Sequence, residues 1–203
     1  MITGNSNHHF GIEDMEKPIK LHLGCFQKKI HGFINVDIRE EVEPDVVDDV
    51  FKLTKFENES ASLIYACHVL EHARPEEAQK ALQRWHDVLK PEGTLRLAVP
   101  DLEAVFEHYQ ITKNLKELRS FIYGSQKHPY DTHYIGWDFD SLAYDLESIG
   151  FRNIRRYDWR LTEHFYIDDY SMCYLPKISY KSRRPTDIIN GKLMSLNIEA
   201  TKV

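Results

Sequence analysis

Apolar and polar positions change period several times along the chain, and each change marks an element. Lys20–Gly24 reads as a short strand with Leu21 and Leu23 on one face. Phe33–Asp37 (Phe-Ile-Asn-Val-Asp) reads as a second strand that ends in a carboxylate. Only Cys25–Gly32 lies between them. A parallel crossover normally takes about ten to twelve residues or more, so a connecting helix here has a couple of turns at most. Glu43–Leu53 carries Val46, Val47, Val50, Phe51 and Leu53 around Asp48 and Asp49, which suits a short strand or turn running into a loop. Ser60–Cys67 reads as a buried strand and His68–His72 as a turn. From Pro75 the apolar residues Ala78, Ala81, Leu82, Trp85, Val88 and Leu89 recur at helical spacing, and Pro91-Glu92-Gly93 stops that helix. Thr94–Val99 is then a strand closed by Pro100.

The second half is less regular. Asp101–Tyr123 reads as helical with a break near Lys113–Asn114, and Gly124–Gly136 as a loop rich in His and Tyr. Asp138–Ile149 is an amphipathic helix capped by Gly150, followed by a strand over Phe151–Tyr157. Residues 158–190 show no period, and Lys192–Ala200 alternates as a final strand. Residues 1–18 are polar and read as a flexible arm, leaving 19–203 as one domain. The pattern is α/β, with a mostly parallel sheet and right-handed crossovers.

Composition narrows the function. A formal net charge of -6 argues against general nucleic-acid or anionic-membrane binding. Cys25, Cys67 and Cys173 are far apart and form no Cys-x-x-Cys pair, so neither a zinc ribbon nor a redox dithiol is signalled. Scattered thiols suit a reducing compartment, and no apolar run at the start suggests a leader or membrane span. The expected setting is the cytoplasm. His8 and His9 are adjacent but lack further ligands nearby in sequence, so no metal is expected.

The opening strands carry the first chemical hint. In an open α/β sheet ligands sit outside the carboxyl ends of the strands. Gly24 lets the backbone approach a ligand, and Asp37 ends a strand where a carboxylate can accept from both hydroxyls of a ribose. A plain strand–turn–strand with a surface Asp reads the same residues equally well. The chain has no Gly-x-Gly-x-x-Gly, and the short first crossover leaves no long helix to hold a pyrophosphate. A nicotinamide-dependent oxidoreductase is therefore disfavoured.

The joint order of motifs resembles class I S-adenosylmethionine-dependent methyltransferases, most closely a compact group of type 11-like predicted methyltransferases. The resemblance rests on Leu21-His22-Leu23-Gly24-Cys25-Phe26, Gly32-Phe33-Ile34-Asn35-Val36-Asp37, Asp49-Val50-Phe51-Lys52-Leu53, Cys67-His68-Val69-Leu70-Glu71-His72 and Leu89-Lys90-Pro91-Glu92-Gly93-Thr94-Leu95. Val99-Pro100-Asp101, Gly136-Trp137 and Glu147-Ser148-Ile149-Gly150-Phe151 also fit, so it spans about Lys20–Trp159. It implies a Rossmann-like three-layer sandwich whose C-terminal strand is antiparallel, and S-adenosyl-L-methionine as cofactor. It implies further that Gly24, with Leu23, Cys25 and Phe26, packs under the cofactor's amino-acid part and that Asp37, beside Ile38, takes the ribose hydroxyls. Asp49, Val50 and Phe51 would meet the adenine with Leu53 nearby, and His68 would lie beside the methyl group. Two departures stand out: Phe26 where the pattern has a second Gly, and His22 where it has Asn.

Methyl transfer asks the protein mainly to align the acceptor and exclude water. A hydroxyl acceptor also needs a base, and His68, His72 and His133 are the candidates, with Glu71 and His72 equally readable as turn and packing residues. Asp131, His133, Tyr134 and Trp137, and beyond them Tyr166, Tyr170 and Tyr174, suit a small polar, sugar-like acceptor. They suit equally an aromatic loop packed on its own core, or a homo-oligomer interface. The basic run Lys181-Ser182-Arg183-Arg184 reads as solvated surface. A non-catalytic protein of the same fold that binds the adenosyl cofactor or acts as a scaffold is the alternative, and Phe26 is what makes it credible.

Overall fold

The computed structural model of the chain describes residues 18–175 and 191–203. The arm expected over 1–18 (apart from Pro18), the pair His8 and His9, and the run 181–184 lie outside the described residues. Strands β1 (Ile19–Leu23), β2 (Ile34–Asp37), β3 (Val46–Val47), β4 (Ala61–Cys67), β5 (Leu89–Pro100), β6 (Phe151–Arg156) and β9 (Ser195–Lys202) form one sheet. Its order is β3-β2-β1-β4-β5-β9-β6. The first five strands are mutually parallel, and β9 runs antiparallel to both β5 and β6. A separate two-stranded ribbon pairs β7 (Tyr174–Leu175) with β8 (Lys192–Leu193). This is the Rossmann-like α/β sandwich with an antiparallel last strand that the sequence implies.

Four helices complete the described fold: α1 (Pro75–Val88), α2 (Leu102–Thr112), α3 (Leu115–Tyr123) and α4 (Phe139–Ile149). The expected break near Lys113–Asn114 falls between α2 and α3, where Lys113 turns left-handed and the Asn114 side chain caps the next helix. Two connections differ from expectation. No helix joins β1 to β2, because the ten residues between them are spent on turns that end with Phe33 N donating to Ile30 O. And α1 stops at Val88, before Pro91-Glu92-Gly93, because Leu89 is already paired with Ala61. The register then shifts, so that Leu63 meets Thr94 and the Pro-Glu-Gly segment is absorbed as an irregularity inside β5. The final strand is likewise interrupted, at Met194, whose N–H donates to Cys173 O.

The two faces of the sheet differ in chemistry. Leu21, Leu23, Ile64, Ala66, Leu95, Leu97, Val99, Leu196 and Ile198 face α1 and α4 and form the main core with Leu82, Trp85, Leu142 and Leu146. Period-two alternation therefore turns His22, Tyr65, Arg96 and Asn197 to the other face. There the cover is mostly the irregular segment after β6. Arg96 binds Glu199 (2.8 Å) from its own sheet and Glu163 (2.6 Å) from that segment, and Lys20 adds a second bond to Glu163 (3.1 Å). His164 packs against the Tyr65 ring, centroids 4.1 Å apart, and Tyr65 stacks in turn on His22. A polar face buried under loop rather than helix is possible because each buried charge there has a partner. Among the described residues no helix is long and apolar enough to cross a membrane.

The polar layer makes stability acid-sensitive in two windows. Burial and the nearby Arg96 push the His164 pKa down from 6.5 to about 4. Burial raises the Glu163 carboxyl, but hydrogen bonds from Arg96 and its charge outweigh that and bring its pKa from 4.5 to about 2. The unfolded chain takes up the His164 proton first, so stability falls as pH drops from 6.5 towards about 4. The Glu163 contribution is complete above pH 4.5 and fades as pH falls towards about 2. Urea unfolding of His164→Gln against wild type should therefore show a gap that narrows between pH 7 and pH 4; a gap constant with pH contradicts this.

Candidate active site

The carboxyl ends of β1, β2 and β4 open onto a cavity of about 820 Å³. Its first wall is the turn after β1. Gly24 has φ +64°, and a Cβ there would lie 2.5 Å from Val69 Cγ2, so only glycine lets this turn and the one after β4 approach so closely. Cys25 N donates to Val36 O at 3.1 Å, and burial pushes its thiol pKa up to about 11. Phe26 also has a left-handed backbone, φ +45°, and its ring is 45 % exposed. The bend is thus kept without the second glycine.

Asp37 ends β2 and is 2 % exposed. Its Oδ1 accepts from Arg39 N (3.0 Å) and Arg39 Nε (2.9 Å), and its Oδ2 from Phe26 N (2.9 Å) and Arg39 Nη2 (3.0 Å). Burial raises the Asp37 carboxyl, but these donors outweigh it and hold the group below the ordinary aspartate range. Arg39 also lies over the Phe26 ring, 4.7 Å from its centroid. The carboxylate expected at the end of β2 is in place, but it is not vacant: the guanidinium of Arg39 already grips both oxygens. Sequence reading missed Arg39, although a cation two residues after a strand-end Asp is a visible signal.

Further along the rim, Asp49 accepts from Phe51 N at 3.0 Å and pairs with Lys52. Asp49, Val50, Phe51 and Ile38 line the cavity as expected. Leu53 does not: its side chain is buried in the main core, so no contact with an adenine ring is open to it. Leu23 is likewise a core residue and does not line the cavity.

The opposite end holds the three histidines singled out in the sequence. His68 has φ +53° and follows β4; its Nε2 lies 3.1 Å from Ser195 Oγ and its Nδ1 3.2 Å from Glu71 Oε1. Left-handed backbone at a bulky residue is costly and concentrates at functional sites. His72 bonds Thr132 O through Nδ1 at 3.1 Å, and His133 bonds Phe121 O through Nδ1 at 3.0 Å. His68 and His72 line the cavity; His133 stands behind them, its ring 4.9 Å from that of His72. All three surround the fully buried Glu71. Asp131, Tyr134, Tyr170 and Tyr174 line the cavity too, joined by Tyr130, His128 and His22. Trp137 and Tyr166 do not. Trp137 is buried in the core with its Nε1 donating to Asp145, and Tyr166 points outward against Phe165.

Residues 23–97, from the end of β1 into β5, match the family model of a methyltransferase domain. The match covers 75 of the chain's 203 residues, a likeness to a methyltransferase domain over part of the chain. Solved methyltransferase structures share the fold. A SAM-dependent methyltransferase from Archaeoglobus fulgidus is 17 % identical, with a TM-score of 0.56 over 91 % of this chain and 86 % of that one. Another, from Methanosarcina mazei, is 16 % identical, with a TM-score of 0.54 over 95 % and 96 %. The 1,6-didemethyltoxoflavin-N1-methyltransferase of Burkholderia thailandensis, solved with its substrate and S-adenosylhomocysteine, is 15 % identical, with a TM-score of 0.52 over 92 % and 72 %. No curated protein matches the chain. The cradle at Gly24, whose missing Cβ leaves the turn open, and the strand-end Asp37 fit an adenosyl ligand.

Arg39→Ala should lower unfolding stability by about 1–3 kcal/mol, because Asp37 keeps its burial and loses its bidentate partner. Saturating S-adenosylhomocysteine, whose hydroxyls replace those donors, should raise the variant's melting temperature by more than it raises the wild type's. An equal or smaller rise would mean that Arg39 and the ligand do not compete for Asp37.

Proposed function

We propose that the domain methylates a small polar acceptor at the His68–His72 end of the cavity, with the adenosyl cofactor held at the Asp37 end. The single observation that carries this reading is the continuity of the cavity. One space reaches from Gly24, Asp37 and Asp49 to His68, His72, Tyr130, Tyr134 and Tyr170. Gly24, Cys25 and Phe26 would border the cofactor's amino-acid part, Asp37 its ribose, and Ile38, Asp49, Val50 and Phe51 its adenine. When bound, S-adenosylmethionine supplies a methyl group on a sulfonium, so that the bond to the acceptor forms as the carbon–sulfur bond breaks and a neutral thioether leaves.

The chain's own contribution is placement. Tyrosine rings on two sides and the carboxylate of Asp131 suit an acceptor that has both a flat or apolar face and hydrogen-bonding groups. Holding such an acceptor in line, with water excluded, accounts for several kcal/mol of a typical barrier, up to roughly 7–11 in the best cases. His68 is poorly placed as a direct base, since its Nε2 bonds Ser195 Oγ and its Nδ1 faces the buried Glu71 carboxylate, 3.2 Å away. His72 has one nitrogen beyond its bond to Thr132 O and faces the cavity. The imidazole–carboxylate cluster behind it is the group placed to take up or stabilise a charge on the acceptor.

Titration calorimetry with S-adenosylhomocysteine should show one site, weakened at least about tenfold (about 1.4 kcal/mol) in Asp37→Asn. Incubation with methyl-labelled cofactor and fractionated cell extract should place the label in the small-molecule fraction. Label recovered only in protein or RNA would overturn the small-acceptor reading. Binding with no labelled product in any fraction would favour a cofactor-binding scaffold.

A further inference from the structure

We propose that Glu71, His72 and His133 form a binding site for a divalent first-row transition metal in the inner wall of the cavity. The three residues come from two elements. Glu71 and His72 sit in the 3₁₀ turn Leu70–His72 after β4, and His133 sits in the loop before α4. Tyr134 N donates to Glu71 O at 2.9 Å, which ties the two segments together. One ligand atom from each of the three lies within 4.8 Å of the other two.

The hydrogen bonds decide where the protons are. His72 and His133 each meet a backbone carbonyl through Nδ1, so Nδ1 carries the proton and Nε2 offers a lone pair. This is the arrangement in which metal-ligating histidines are usually held, the outer N–H fixed by a carbonyl and the other nitrogen aimed inward. His133 Nε2 stands 4.0 Å from Glu71 Oε1. On the other side, Asn197 Nδ2 donates to Ser171 O (2.7 Å), which turns Asn197 Oδ1 towards Ser195. The Ser195 hydroxyl donates to that oxygen (2.9 Å), so its Oγ accepts from His68 Nε2 (3.1 Å). His68 in its neutral form therefore presents a lone pair, not a proton, to Glu71.

Glu71 is fully buried, and neither of its carboxylate oxygens has an aligned hydrogen-bond donor. Lone pairs from the Glu71 carboxylate and from Nε2 of His72 and His133 thus converge on one region. Burying such a charge without a partner is expensive, and a cation at that point removes the expense. Two histidines and one glutamate are a donor set used by catalytic zinc and by non-haem iron, both of which keep open positions for a substrate. At metal–ligand distances of about 2.0–2.2 Å, ligands of a tetrahedral ion stand roughly 3.4 Å apart, so small side-chain rotations close the present spacing. Since His72 lines the cavity, the open position faces it, and a hydroxyl seated there would be held as its anion. That catalytic role rests on the function proposed above; the binding of metal does not. Sequence spacing does not reveal this group, because the partner of the Glu71-His72 pair lies some sixty residues away.

Full-length, chelator-treated protein should bind one Zn²⁺ by calorimetry, and Co²⁺ should give visible absorption bands of a nitrogen–oxygen site. His72→Ala, on the cavity rim, and Glu71→Gln, which keeps the shape, should each weaken Zn²⁺ at least about tenfold. A His8→Ala/His9→Ala double variant should bind as wild type. If Glu71→Gln does not fold by circular dichroism, His72→Ala decides. Failure of wild type to bind Zn²⁺, or loss of binding in the His8/His9 variant but not in His72→Ala, overturns the site. Parallel titration of metal-free protein with S-adenosylhomocysteine separates the two proposals. Cofactor binding without Zn²⁺ removes the metal site alone, and Zn²⁺ binding without cofactor removes the methyltransferase reading alone.

Discussion

Arg96 is the charge on which the active face of the sheet depends. It rises from β5 on the side that alternation turns away from the main core, where Glu163 and His164 of the segment after β6 meet it. Glu199 neutralises it within the sheet, and Glu163 reaches down from the segment after β6. That second bond, with Lys20 on the same carboxylate, pins an irregular stretch of chain across the strands. Downstream of the pin come Asp168–Tyr174, the far wall of the cavity. A buried ion pair is a weak source of net stability, yet breaking one side of it is costly, so such pairs are good at fixing where a loop must lie.

The legible parts of the sequence were those governed by period and by turn chemistry. Leu21, Leu23 and Val36 announced their strands, Trp85 and Leu82 their helix, and Gly24 its bend, because these are local signals. The residues that fill the cavity's far wall were legible as a type, aromatic and polar, but not as members. Tyr170 and Tyr174 line the space while Tyr166 and Trp137 do not, and nothing in their spacing separates them. Their placement follows from contacts made across more than a hundred residues, such as Tyr65 Oη donating to Asp169.

Leu53 was read as lying near the adenine and Glu71 as a helix-start and packing residue, since an apolar residue after a loop and an acid at a helix start suggest those roles. Leu53 adopts φ +42° and turns into the core, where tertiary packing overrides the local preference. Glu71 is equally buried but charged, and only the fold reveals that histidines separated in sequence by more than sixty residues meet around it.

The grip of Arg39 on Asp37 gives the cofactor end of the cavity a property that a vacant pocket lacks. The guanidinium is tethered two residues away, so its local concentration cannot be diluted, and it returns whenever a ligand leaves. Asp37 therefore stays paired despite its burial. A hydroxyl arriving there would take part in an exchange of partners, and the tethered cation would replace it as it left.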